Sequence, residues 1–146
     1  MTNLRRTFAA ALLIVTFSAV FAAAQDGPKP ALFTISQMKG TWTVALSGLT
    51  GCGDTTLQST FTLDVNGNGT QSSGTEHTAG CGDINLAGLS AQIQQFNSDG
   101  SGFFALGCGS GCGFGFYIQA ARSKQIFNLA PQAVSGNFLA GVAVHK

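Results

Sequence analysis

The chain has 146 residues, seven Lys/Arg against six Asp/Glu for a formal charge of +1, and only 9% charged against 45% hydrophobic residues. So little charge removes the attraction on which nucleic-acid binding and adhesion to anionic membranes depend. The length suits one domain with its own core.

Residues 1–24 carry Arg5 and Arg6, an apolar run from Phe8 to about Phe21, and then Ala22-Ala23-Ala24. That order is the order of a secretory signal peptide, and cleavage is expected after Ala24. The apolar run is short for a bilayer span, which takes about 20 residues. A mature chain starting at Gln25 has 122 residues, five Lys/Arg and six acids, a charge near −1. Residues 25–39 form a polar lead-in in which Ala31 to Met38 has room for one helical turn, and 40–146 is the expected β domain. Secretion, the periplasm or the cell surface is the expected location, without stable membrane insertion.

From residue 40 onwards the side chains alternate with period two, the signature of half-buried strands. Trp42, Val44 and Leu46 alternate with Thr41, Thr43, Ala45 and Ser47. Leu57, Phe61, Leu63 and Val65 alternate with Gln58, Thr60, Thr62 and Asp64, and that strand ends in Asn66-Gly67-Asn68-Gly69. Asn and Gly tolerate positive φ, so this is a hairpin turn. Asp64 to Gly69 also fits the opening of a calcium-binding EF-hand loop, but the twelfth position is Thr75, not a bidentate acid, and the hairpin reading is preferred. Strand three, Thr70 to Thr78, has no large apolar side chain. Strand four runs from about Leu86 to Phe96, strand five from Gly102 to Cys108, strand six through Phe114, Phe116, Ile118 and Ala120, strand seven from Lys124 to Ala130, and strand eight from Gly136 to His145. In strand eight Phe138, Ala140, Val142 and Val144 alternate with Leu139, Gly141 and Ala143. An interior crowded by Phe61, Phe114, Phe116 and Phe138 is expected.

Eight short strands in sequence order, with no helix of useful length between them, predict an all-β fold: an eight-stranded antiparallel up-and-down barrel, or failing that a β-sandwich. Closure removes the exposed edges of a meander, and eight strands leave an interior that side chains fill or that holds one small ligand.

Every cysteine sits in a Gly-Cys-Gly triplet, at Cys52, Cys81, Cys108 and Cys112, and the first three triplets start 29 and then 27 residues apart. Each interval is one hairpin long, so the cysteine loops gather at one end of a meander, with Asp54, Asp83 and His77 nearby. An even count in an exported chain favours two disulfides over a four-thiolate zinc site. The expected pairs are Cys52 with Cys81 and Cys108 with Cys112. No metal and no cofactor are expected.

Gly40-Thr41-Trp42, opening the first strand after a short helical turn, resembles the Gly-x-Trp start of the calycin group, the lipocalins, avidin-like proteins and their bacterial relatives. The resemblance implies a barrel whose Trp42 packs across the closed end, and it implies binding of a small molecule without catalysis. The residues themselves offer only His77 and His145 as ordinary bases, at opposite ends of the meander, and no nucleophile motif accompanies them.

Strand three is polar on both faces, so whichever face turns inward brings hydroxyls and amides into an apolar interior. The expected ligand-binding set is Gln71, Ser73, Thr75 and His77, with Ser72 and Glu76 presented in the opposite register. Buried polar groups need partners, and water or a ligand is expected to supply them. The competing class is a structural or surface-interaction protein with a filled core and no ligand. A cavity lined by strand three favours the first class, and a core packed with Phe rings favours the second.

Overall fold

The alternation of Trp42, Val44 and Leu46 makes β1 (Gly40–Thr50) a strand with one dry face. A computed structural model describes residues 32–107, 113–132 and 137–146 and shows how the rest of the chain completes that face. Eight further strands follow among the described residues: β2 (Gly53–Leu63), β3 (Asn68–Thr78), β4 (Gly82–Asn85), β5 (Ser90–Phe96), β6 (Ser101–Gly107), β7 (Gly113–Ala120), β8 (Ile126–Pro131) and β9 (Phe138–His145). They pair antiparallel in the order β2-β1-β9-β8-β7-β6-β5-β3, and β3 returns to β2. The result is a closed eight-stranded barrel, with β4 as an extra short strand on β3.

The expected fourth strand, about Leu86 to Phe96, forms only from Ser90, as β5, which pairs with Asn68–Thr70 at one end of β3. Ahead of it β4, a short strand that was not expected, pairs with Thr75–Thr78 at the other end. Between them Asn85 Oδ1 accepts from the Ala87 N–H at 2.9 Å, Gly88 takes a φ of +83°, and Leu86 is buried. An Asx turn and a left-handed glycine end the strand.

Aromatic rings fill the barrel. Trp42 lies 4.6 Å from Phe127, Phe127 lies 5.7 Å from Phe104, and Phe104 lies 5.2 Å from Phe61 and 6.5 Å from Phe116. A 3-10 turn, Ile35–Met38, closes one end, and the Trp42 indole N–H donates to the Met38 carbonyl at 2.8 Å. At the same end the Asp64 carboxylate accepts from the N–H groups of Asn66 and Asn68 at 2.8 and 2.9 Å, so these residues close the β2–β3 hairpin.

One facing is corrected. Phe138 does not enter the core: it is 49% exposed, and Leu139, Gly141 and Ala143 face inward instead. Both faces of β9 are apolar, so alternation alone leaves its orientation open, and its register on β1 decides. Ala143 sits between Val44 and Phe127, both buried. The Gly141 position approaches the Ala45 carbonyl too closely to admit a Cβ.

Candidate functional site

The polar set of β3 is split by a β-bulge. Phe61 pairs with Gln71 and Thr60 with Ser73, so Ser72 is an extra residue on β3. A bulge adds one residue to one strand and reverses the alternation beyond it. Gln71 therefore faces inward before the bulge and Glu76 inward after it, both buried. Ser73, Thr75 and His77 pair with the outward-facing Thr60, Gln58 and Thr56 and lie on the outer wall. The expected interior set is corrected accordingly: of Gln71, Ser73, Thr75 and His77, only Gln71 points into the barrel.

Gln71 finds its partners in the protein. The Ser59 hydroxyl donates to its Oε1 at 2.7 Å, and its Nε2 donates to the carbonyls of Gly107 at 2.8 Å and Ser90 at 3.4 Å. One amide thus joins β2, β3, β5 and β6. Buried polar groups of this kind rigidify a core when every donor and acceptor is met.

The other three residues form an open groove. Ser73, Thr75 and His77 line a concavity of about 300 Å³ with Thr43, Gln58, Ser59, Thr60 and Gly74. His77 also borders a second hollow of about 440 Å³ that runs on to Ser47, Thr56 and Thr78. The lining is hydroxyl and amide, with His77 as its titratable group in the first hollow. His77 Nδ1 is 2.7 Å from an Asp83 carboxylate oxygen, which fixes the ring and leaves Nε2 free of that bond. The pair is exposed, at 58% and 67% of the side-chain surfaces.

The rim beside the groove is held by the Cys52–Cys81 disulfide, which joins the β1–β2 turn to the β3–β4 turn. The second expected pair, Cys108 with Cys112, lies outside the described residues. Asp83 follows Gly80-Cys81-Gly82 as Asp54 follows Gly51-Cys52-Gly53, and this repeated Gly-Cys-Gly-Asp sequence was the available signal for His77's partner. Thr43, Gln58 and Thr60 carried no signal of their own. Their part comes from lying on neighbouring strands.

Burial raises the Glu76 carboxyl above its ordinary value of 4.5. A group whose folded value is raised stabilises the fold fully below the ordinary value, and that contribution is lost as pH rises through the raised one. Chemical denaturation from pH 4 to 7 should show stability falling with pH over that window, and Glu76→Gln should flatten the slope. Asp99, lowered by hydrogen bonds from the Ser101 hydroxyl and N–H, acts in the opposite sense and only at lower pH. An unchanged slope in Glu76→Gln would show that the carboxyl is not the source.

Neither a protein-family model nor a curated protein matches the chain.

Proposed function

We propose that the protein is an exported, non-catalytic binding barrel of calycin-like organisation that takes a small, uncharged, hydroxyl-rich compound on its outer wall. The observation that carries this reading is the groove in which Ser73, Thr75 and His77 meet Thr43, Gln58 and Thr60. A lining of neutral donors and acceptors matches a neutral polyhydroxylated ligand such as an oligosaccharide, because each ligand hydroxyl both donates and accepts. Ring filling of the interior and the protein-borne partners of Gln71 support a site on the outside over one within. Export draws support from the signal-like residues 1–24 and from the disulfide, which persists in oxidising compartments. Trp42, buried against the closing turn, supports the calycin-like organisation.

The test is a screen of neutral oligosaccharides by amide shift mapping. Shifts should concentrate on Thr43, Gln58, Thr60, Ser73, Thr75 and His77. Thr75→Ala combined with His77→Ala should weaken binding by about tenfold or more at unchanged melting temperature, at about 1 kcal/mol per lost hydrogen bond. Shifts elsewhere, or none, would favour the second reading, a structural barrel without a ligand, for which the ring-filled core speaks.

A further inference from the structure

Opposite in character to the groove is the wall formed by β8, β9 and β1. Phe138, Val142 and Val144 project outward from β9, Leu49 and Ala45 from β1, and Ile126 from β8. The register makes them neighbours: Phe138 faces Leu49, Val142 faces Ala45, and Val144 faces Ile126. The five larger side chains keep 39–50% of their surfaces exposed. Together they offer roughly 400–500 Å² of apolar surface, in the upper range of patches on monomers, which are often functional. Among the described residues no charged side chain lies within β1, β7, β8 or β9.

The charges are instead sorted to the two ends of the barrel. Lys39, Arg122, Lys124 and Lys146, with Asp64 and Asp99, flank the strands at the end closed by the 3-10 turn. Asp54, Glu76 and Asp83 lie toward the disulfide end, where no described Lys or Arg accompanies them. A molecule with a basic end, an acidic end and an uncharged apolar side is complementary to a second copy of itself turned end for end.

We infer that the β8–β9–β1 wall docks a second copy of this chain about a two-fold axis, the two barrels side by side and antiparallel. The axis passes near Ala140 and Val142, so Phe138 of each copy lies over the Val144 region of the other. The contact is isologous, as most homodimer contacts are. Thr43, Ser47 and Asn128 supply a polar rim around this patch. Desolvation of the apolar side chains supplies the affinity, and the end charges select the antiparallel orientation. The rim meets the ligand groove at Thr43 and the second hollow at Ser47, and the test by oligomeric state needs no ligand.

Sedimentation equilibrium of the purified protein should give twice the chain mass at micromolar concentrations. Val142→Glu places two carboxylates at the axis and should raise the dimer Kd on the order of a hundredfold with unchanged melting of the monomer. Gln95→Glu, exposed on β5 across the barrel from this wall, should leave the dimer intact and serves as the control. In the native dimer, carbodiimide should join Lys39 or Lys146 of one copy to Asp54 of the other. A monomer at submillimolar concentration, or a dimer indifferent to Val142→Glu, would overturn the proposal. So would a monomer that floats with phosphatidylcholine vesicles through this wall, and inter-copy links confined to like ends would overturn the antiparallel arrangement.

Discussion

Trp42→Ala is expected to destabilise the barrel by about 3–5 kcal/mol, the range for removing a large buried aromatic side chain. Three separate losses combine at this position. The ring is fully buried, and its packing on Phe127 at 4.6 Å and against His145 at 4.9 Å would give way to a cavity. The indole N–H would no longer tie the Met38 carbonyl, so the turn that covers this end would lose an anchor. Met38 itself is fully buried beneath that turn and would be the next group to meet water. In a domain of this size the change lowers the melting temperature by about 10–20 °C. Circular dichroism is the suitable readout, because Trp42 is the sole tryptophan and fluorescence disappears with it. Trp42→Phe should recover much of the packing and none of the hydrogen bond, which separates the two contributions. A melting temperature within a few degrees of the parent for Trp42→Ala would refute the anchoring role.

The readings from sequence succeeded where one face of a strand is apolar and the other is not. β1, β2 and β7 alternate in this way, and Trp42, Phe61 and Phe116 are buried as their spacing requires. β3 failed that test because it holds no large apolar side chain. The bulge at Ser72–Ser73 moves Ser73, Thr75 and His77 from one face to the other, and no hydrophobic residue marks the switch. In β9 the difficulty is the reverse: both faces are apolar, and only pairing with β1 assigns Phe138 to the outside. The loop at 86–89, where the expected fourth strand was to begin, had a local sign in Gly88, but its position is fixed by the same bulge. Leu86 N–H donates to Gly74 O at 3.0 Å and Gly88 N–H to Gln71 O at 2.7 Å, so the looped segment follows the bend in β3. Consequently the barrel and its Cys52–Cys81 bridge were legible in the sequence, and the groove was not, because it depends on a bulge that only strand pairing reveals.

Replacing Cys52 and Cys81 together by serine is expected to cost about 3–4 kcal/mol, from the entropy of closing a loop between residues 29 apart in the unfolded chain. The folded state should change little. Gly80 N–H still donates to Cys52 O at 2.8 Å and Ala79 N–H to Asp54 O at 2.9 Å, so the backbone holds the two turns together without the sulfur bridge. The His77–Asp83 pair lies on strands joined by ladder hydrogen bonds and should keep its geometry as well. The effect thus falls chiefly on the unfolded state, which becomes more expanded and exposes more surface. Two measurements distinguish this from a local disruption of the rim. Urea denaturation should show a lower midpoint and a steeper slope, since the slope scales with the surface exposed on unfolding. Amide shifts in the native variant should move only around residues 50–54 and 78–83. A loss of stability with an unchanged slope and shifts spreading through β2 and β3 would place the disulfide's contribution in the folded rim instead.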